Sequence, residues 1–317
     1  MKNPLTISIV SRDAVIQRVN ELRGRDADAK ARVGLCLRKL WNPDRDLIQG
    51  AEPQVFDDLQ TRFPNFDLVI DYWRTEAMVS RKLGLAFQPQ PVLLGGLPGL
   101  GKTFFASEAA KVMGLYFSEI SMATVTAAFV LGGGSLQWGN GVPGFIAKSI
   151  CLSQVGNPLL LIDEVDKAME GNYNPMGPLY PLLERHSARR FRDEALELEM
   201  DASHIIWVAT ANEIHHIPEP IVSRMKYFDI RKPTPVEMET IVNSIYAGIK
   251  ERESYGKLLD AVLPADTIQR LTDLLPREAR KTLEEACKRA IGQNRVVVLP
   301  EDIIFTNGPG HRPIGFL

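Results

Sequence analysis

The chain has 317 residues, 45% of them hydrophobic and 24% charged, close to the averages of soluble globular proteins, so a disordered or fibrous chain is excluded. Its 37 basic and 39 acidic residues leave a formal net charge of −2, which argues against a surface devoted to nucleic acid or to a membrane. The length predicts about two domains at roughly 150 residues each.

Three cysteines, Cys36, Cys151 and Cys287, form no C-x-x-C motif, so neither a disulfide framework nor a zinc knuckle is predicted. We interpret each one as a buried apolar residue in a reducing compartment. The apolar stretch Thr6–Val10 is too short for a secretory signal, and we find no run of about 20 apolar residues that could span a membrane. We therefore expect a cytoplasmic chain with no membrane partner.

Residues 1–88 are predicted to form a helical N-terminal region. Apolar residues at helical spacing follow Ser11, and a second helix is expected from about Asp26 to Trp41. Further helix is expected over Phe56–Leu83, interrupted near Phe63-Pro64. Basic residues outnumber acidic ones at the start of this region, which is typical of a solvated face and leaves contact with nucleic acid open.

From Pro91 onward, three short apolar runs predict an α/β fold with a parallel sheet. They are too short for helices and too apolar for half-exposed strands, which is typical of buried parallel strands. The runs are Pro91–Leu94, Pro158–Ile162 and His204–Ala209. A Pro-rich hinge at Pro233-Thr-Pro235 precedes renewed helical periodicity. We therefore predict a large domain over residues 89–232 and a small helical domain over residues 233–317.

The segment Gly96-Leu-Pro-Gly-Leu-Gly-Lys-Thr103 has the G-x-x-x-x-G-K-T pattern of a phosphate-binding loop, between a predicted strand and a predicted helix. Its glycines allow backbone amides to curl around phosphate oxygens at a helix N-terminus. Lys102 is expected to reach the β- and γ-phosphates of ATP, and the Thr103 hydroxyl to bind Mg²⁺. The candidate nucleotide-binding residues are Gly96, Leu97, Pro98, Gly99, Leu100, Gly101, Lys102, Thr103 and Phe104.

Polar residues at the ends of the next two strands complete a candidate catalytic set. Asp163 and Glu164 follow an apolar run, at the carboxyl edge where α/β sheets bind ligands. Asp163 is predicted to hold Mg²⁺, and Glu164 to polarise the attacking water. Asn212 follows the third run and could contact both the γ-phosphate and that water, although such an Asn in isolation is more often a cap.

Two arginines could supply positive charge during phosphoryl transfer. Arg224 precedes the strand-like Tyr227–Ile230, and Arg280 lies at the start of an amphipathic helix in the small domain. Together with the phosphate loop, Asp163-Glu164 and Asn212, they make a set that resembles an AAA+ ATPase.

This resemblance implies a P-loop core of three αβα layers followed by a small helical lid domain. It also implies that Asn212 is the first sensor, and that Arg224 is an arginine finger given to the neighbouring subunit. Arg280 would be the second sensor, with the nearby Arg277 as the alternative.

The likeness is greater to the ATPase part of the Lon protease family, over roughly residues 90 to 295. Trp138-Gly-Asn-Gly-Val-Pro-Gly144 is similar to Lon's pore loop, which implies that Trp138 contacts a threaded protein substrate. Without the resemblance, Trp138 could equally be a packing anchor. Lon's Ser-Lys protease domain would begin near Leu317, and no G-x-S-x-G motif replaces it, so this chain alone is not expected to be a protease.

The adjacent histidines His215 and His216 raise the question of a further metal site. Neighbouring histidines do not easily face one ion, and the sequence shows no cluster of carboxylates beside them. We therefore expect an ordinary loop here.

These features favour a motor that uses ATP, with Mg²⁺, to remodel or thread a protein substrate. The resemblance implies a homo-oligomer, a hexameric ring, with ATP between subunits. A DNA-associated AAA+ ATPase of the loader or initiator type is the alternative, although residues 120–147 lack the basic side chains that a DNA-tracking loop needs. The third hypothesis is a scaffold that binds ATP without hydrolysing it. Glu164, the residue predicted to polarise the attacking water, argues against this hypothesis.

Overall fold

In the computed structural model, residues 5–168 and 174–305 are described. They divide into two compact units. The first contains the described residues up to Leu59, Asp67–Leu97 and Lys102–Ile230, and the second contains Gln60–Phe66, Pro98–Gly101 and the described residues from Arg231. Most of the predicted N-terminal region therefore shares a unit with the sheet. The predicted domain boundaries stay predictions, and residues 306–317, the end of the predicted small domain, lie outside the described residues.

The strands and helices of the described residues are numbered in chain order. The strands are β1 (Thr6–Ser8), β2 (Asp44–Asp46), β3 (Val92–Gly95), β4 (Phe117–Ser121), β5 (Leu159–Asp163), β6 (Phe191–Arg192), β7 (Glu199–Met200), β8 (Ile206–Thr210) and β9 (Lys226–Asp229). The helices are α1 (Arg12–Glu21), α2 (Ala27–Leu40), α3 (Pro53–Arg62), α4 (Asp67–Leu83), α5 (Lys102–Val112), α6 (Phe129–Gly132), α7 (Phe145–Leu152), α8 (Leu179–Leu182), α9 (Arg185–Ala188), α10 (Glu219–Val222), α11 (Pro235–Arg252), α12 (Ala265–Gln269) and α13 (Pro276–Gly292).

Five strands form the parallel sheet that the sequence predicts, in the order β4-β5-β8-β3-β9. The three apolar runs are β3, β5 and β8, the middle strands of this sheet. Every residue of β3 and β8 is buried, because strands covered on both faces lose their polar alternation. The edge strand β4, Phe-Ser-Glu-Ile-Ser, escapes prediction from the sequence because its half-exposed residues are mixed polar and apolar.

Helices cover both faces of the sheet, giving the expected three layers. Side chains alternate along each strand, so Leu160 and Trp207 share one hydrophobic cluster with Leu37 on α2. Elsewhere in the first unit, α5 packs against β4, β5 and β8. Phe105 of α5 stacks on Trp73 of α4, with ring centroids 5.6 Å apart. The predicted α/β class with a three-layer P-loop core is confirmed.

The N-terminal region is helical as predicted, with one addition. β1 and β2 form a short antiparallel pair in which Ile7 lies opposite Arg45. These strands are three residues each, too short for a periodic signal to be visible in the sequence.

The second unit is built around α11 and α13. Thr234 caps α11 in a capping box with Glu237, which explains why the helix begins at Pro235, the last residue of the Pro-rich hinge. Ala279, Leu283 and Ala286 recur at helical spacing on α13 and are fully buried in the core of this unit. Among the described residues, no helix is long and apolar enough to cross a membrane.

Candidate active site

The phosphate-loop pattern lies between β3 and α5, and the helix begins at Lys102. Gly99 and Gly101 have φ values of +88° and +92°, in the region that side chains with a Cβ avoid, which explains the need for glycine there. The Lys102 side chain is buried, and its Nζ donates to the carbonyls of Gly96 at 2.6 Å and Leu97 at 3.0 Å. The ammonium group is therefore held by the first two residues of the loop.

Asn212 shares this ammonium group. Its Oδ1 accepts a hydrogen bond from Lys102 Nζ at 3.0 Å, although the two residues are 110 positions apart in the chain. Both follow parallel strands that are neighbours in the sheet, β3 and β8, so their side chains meet at its carboxyl edge. The structure therefore brings together the loop lysine and the predicted first sensor.

The predicted magnesium ligands are also neighbours. Thr103 Oγ1 lies 3.0 and 3.1 Å from the two carboxylate oxygens of Asp163. Thr210, at the end of β8, donates a hydrogen bond to the same carboxylate and is itself buried. A hydroxyl oxygen beside a carboxylate is the hard oxygen donor set that Mg²⁺ prefers, so these residues fit the ion.

Glu164 adopts a left-handed backbone conformation, with φ +52° and ψ +48°. This is uncommon for a residue other than glycine and occurs where surrounding contacts enforce it, often in functional sites. Here the Glu164 N–H donates to Thr210 Oγ1 at 3.0 Å, and Ser121 Oγ donates to Glu164 Oε2 at 3.2 Å. Thr210 and Ser121 thus orient the acidic pair.

Neither Thr210 nor Ser121 was predicted from the sequence. Thr210 lies within the Ala-Thr-Ala-Asn segment that ends at Asn212. Its position at the end of a predicted strand could have identified it as a candidate site residue. Ser121 ends β4, the unpredicted edge strand, and pairs in register with Asp163.

The two candidate arginines have acidic partners. Arg224 Nε donates to Glu184 Oε1 at 2.6 Å in the first unit, and Arg280 Nε donates to Glu284 Oε1 at 2.8 Å in the second. Within the second unit, the backbone N–H of Arg277 donates to the carbonyl of Gly99 at 3.1 Å. The alternative second sensor therefore contacts the phosphate loop through its backbone.

Trp138 is one of the most exposed large apolar residues, with 67% of its surface accessible. It lies in a turn that ends before α7, and together with the half-exposed Phe129 it lines a groove of about 860 Å³. Pro178, Leu182 and Phe191 are among the other residues that line this groove. This degree of exposure does not suit a packing anchor.

The expectation of an ordinary loop at His215 and His216 stays a prediction, but the sequence reasoning missed Glu213. The structure places Glu213 against both rings: His215 Nε2 and His216 Nδ1 each lie 3.4 Å from Glu213 Oε2. The short 3₁₀ turn at Ile214–His216 stacks residue i over residue i+3, so Glu213 and His216 lie on the same side of the turn. Glu213 was overlooked because a single carboxylate is not a cluster in the sequence.

Comparison with known proteins identifies the domain that carries this site. Residues 92–234 match the AAA family, described as ATPases associated with various cellular activities. The Lon protease of Mesomycoplasma hyopneumoniae is 36% identical over 165 residues, which cover 51% of this chain and 19% of that protein. The Lon protease of Salinispora arenicola is 27% identical across 96% of this chain and 41% of its own length. The chain thus spans less than half of these relatives.

Solved structures with the same fold are more distant in sequence. A cryo-EM structure of Hsp104 with ATPγS and FITC casein has a TM-score of 0.60 and 17% identity, covering 78% of this chain and 52% of that chain. A Thermotoga maritima RuvB mutant has a TM-score of 0.51 and 13% identity, covering 75% of this chain and 67% of that chain. These two structures show the P-loop AAA+ fold.

Proposed function

We propose that this chain hydrolyses ATP in order to remodel or thread a protein substrate, since residues 92–234 match the AAA family and the chain is similar in sequence to part of Lon proteases. The observation that carries the proposal is the Lys102–Asn212 contact beside the Thr103–Asp163 pair. A cation, a polar side chain and two oxygen donors that fit Mg²⁺ therefore lie at one edge of the sheet, as phosphoryl transfer requires.

Each residue has a defined part in hydrolysis. When ATP binds, Lys102 would give up its hydrogen bonds to the loop carbonyls and donate to phosphate oxygens instead. The loop amides would hold the remaining phosphate charge. Thr103 and Asp163 would hold Mg²⁺, which neutralises phosphate charge when bound. Glu164, held by Ser121 and Thr210, would accept a hydrogen bond from the attacking water and orient it towards the γ-phosphate.

The proposal includes a ring of identical subunits, a hexamer by resemblance. An arginine that stabilises the transferring phosphoryl group would be supplied by Arg224 of the neighbouring copy. Its partner Glu184 is 47% exposed and the pair is open to solvent, so exchange of Glu184 for a phosphate group is inexpensive. Arg280 or Arg277 would supply the second sensor.

Trp138 would make contact with the substrate. A large exposed aromatic ring beside an apolar groove offers contact area to an extended chain of varied sequence. The absence of basic residues over 120–147 favours a protein over a DNA substrate. We also propose a cytoplasmic, reducing location, to which the three free, buried cysteines are suited.

A nucleotide-binding and turnover assay tests the proposal. Lys102→Ala should abolish ATP binding, whereas Glu164→Gln should retain binding and lose turnover. Glu164→Gln should also retain its bound protein substrate in a pull-down. Normal turnover in Glu164→Gln would contradict the role of that residue. Strong stimulation of hydrolysis by DNA, with a steep salt dependence of binding, would favour the loader or initiator alternative.

A further inference from the structure

The strongest unassigned cluster is formed by Glu213, His215 and His216, directly after Asn212. All three side chains are exposed, and one donor atom from each lies within 4.8 Å of the others. Glu213 Oε2 is 3.4 Å from His215 Nε2 and 3.4 Å from His216 Nδ1. The two imidazole rings meet edge to face, with centroids 4.4 Å apart and planes inclined at 66°.

These separations match the coordination shell of a transition ion. Zinc binds imidazole nitrogen and carboxylate oxygen at about 2.0–2.1 Å, so two ligand atoms of a tetrahedral site are about 3.3–3.4 Å apart. Both measured separations from Glu213 Oε2 have this length. An ion could therefore contact all three donors after small side-chain rotations, which is inexpensive on an exposed turn.

The backbone holds the turn in the required shape. The N–H of His216 donates to the carbonyl of Glu213 at 3.2 Å, and the N–H of Ile217 donates to Ile214 at 3.0 Å. The N–H of Glu213 donates to Asp166 Oδ2 at 3.2 Å, and the Asp166 side chain is fully buried. The carboxylate of Glu213 therefore projects from an anchored backbone.

The nearest basic group leaves the donor oxygen accessible. Lys167 Nζ lies 3.8 Å from Glu213 Oε1, the other carboxylate oxygen, and 3.4 Å from Asp166. Glu213 can thus neutralise part of the ion's charge through Oε2 while Lys167 remains at Oε1. The solvent-facing side of the three residues leaves room for water as a fourth ligand, as in zinc sites with three protein ligands.

We propose that Glu213, His215 and His216 form a binding site for a divalent transition ion of the zinc class, distinct from the magnesium ligands Thr103 and Asp163. Two imidazoles and one carboxylate select zinc and its neighbours in the first transition row over magnesium or calcium, which prefer oxygen donors alone.

The test is a titration of the full chain, free of any affinity tag, with Zn²⁺ in competition with a chromophoric chelator. The wild type should bind one Zn²⁺ at this site, and Glu213→Gln, His215→Ala and His216→Ala should each weaken binding at least about tenfold. His186→Ala, which removes an exposed histidine elsewhere in the chain, is the matched control and should leave binding unchanged.

Substitution of Co²⁺ for Zn²⁺ gives a second readout, because the ligand-field spectrum distinguishes four-coordinate from six-coordinate ions. The wild type should show the intense four-coordinate spectrum, and His215→Ala should lose it. Equal Zn²⁺ affinity in the wild type and the His215→Ala/His216→Ala double variant would overturn the proposal, as would undetectable binding by the wild type. Neither readout depends on ATP hydrolysis, so the proposed function and this site can fail separately.

Discussion

The carboxylate of Asp193 accepts a hydrogen bond from the backbone N–H of Gly144, with an Oδ2 to N distance of 2.8 Å. Its other oxygen accepts from Ala195 at 3.0 Å and Leu196 at 2.9 Å, and Asp193 is completely buried. We call residues 133–144 the Trp138 segment. A Cβ at Gly133 would lie only 2.5 Å from Asp193 Oδ2, so the chain also passes close to the carboxylate at the start of this segment. Asp193 therefore contacts both ends of that segment.

The first prediction concerns Asp193→Asn. Burial raises the pKa of the Asp193 carboxyl above its usual range, while its three N–H partners oppose this shift. An amide retains one acceptor oxygen but presents N–H groups to the N–H of Gly144. We expect the free energy of unfolding to fall by about 1–3 kcal/mol, measured by chemical denaturation.

Basal ATP hydrolysis should persist in Asp193→Asn below its melting temperature, because Lys102 and Asp163 keep their own partners. Substrate unfolding should decline, because the base of the Trp138 segment loses a contact. Glu194→Gln changes the exposed neighbouring carboxylate in the same way and should leave the free energy of unfolding unchanged. Unchanged stability of Asp193→Asn would show that the contact with Gly144 is dispensable.

The second prediction concerns Trp138→Ala. Because 67% of the residue is exposed, its removal should change the free energy of unfolding by about 0.5 kcal/mol or less and leave basal ATP hydrolysis intact. Trp138→Ala should lose substrate unfolding. Trp138→Tyr, which keeps an aromatic face, should retain part of it. Thermal melts and a fluorescence assay of substrate unfolding measure the two effects.

Trp41→Ala removes another exposed tryptophan, at the end of α2, and serves as the control for general loss of aromatic surface. It should unfold substrate normally. A loss of about 3–5 kcal/mol in Trp138→Ala would instead indicate a packing anchor and would remove the proposed substrate contact.

The third prediction concerns subunit cooperation through Arg224. Homo-oligomers of Arg224→Ala and of Lys102→Ala should each lose most ATP hydrolysis. A mixture should regain part of it, because a junction between one subunit of each kind can contain an intact Lys102 and an intact Arg224. The ATPase rate as a function of mixing ratio is the measurement.

Glu184→Gln is the control, because it removes the ion pair within the subunit and leaves Arg224 in place. It should retain hydrolysis. Full activity of Arg224→Ala at all protein concentrations would refute a finger supplied by the neighbour.

The fourth prediction concerns the pH dependence of folding stability that arises from Glu237 in the second unit. Hydrogen bonds from Arg231, at 2.7 and 2.6 Å, together with hydrogen bonds from Thr234, lower the pKa of Glu237 from 4.5 to about 2. Because the folded pKa is lowered, this stabilisation is present above about pH 4.5 and is lost as the pH falls towards 2. The full shift corresponds to about 3 kcal/mol, and solvent screening of the partly exposed pair reduces it to about 1 kcal/mol.

Glu237→Gln should therefore lower the melting temperature at pH 7, and the difference from the wild type should narrow between pH 5 and the acid limit of stability. Differential scanning calorimetry across this range measures the effect. Glu239→Gln, two residues along the same helix and exposed, should melt like the wild type at every pH. A difference for Glu237→Gln that is constant with pH would locate the effect in the helix cap and not in the charge.

The sequence alone determined the pattern of the phosphate loop and the class of the fold. The loop is a continuous segment whose glycines are needed for local backbone conformation, as the φ values of Gly99 and Gly101 show, so its pattern is visible without any partner. The buried strands β3, β5 and β8 were equally visible, because burial on both faces leaves an uninterrupted apolar run.

Only the tertiary structure decided which side chains support that chemistry. Thr210 and Ser121 lie more than 40 positions from the acidic residues they orient, and Asp193 lies 49 positions from Gly144. A Ser, a Thr or a single Asp has no distinctive spacing, so its role depends on which strands become neighbours in the sheet. The contact of Glu213 with two adjacent histidines was likewise invisible, because it depends on the backbone and side-chain conformation of one short turn.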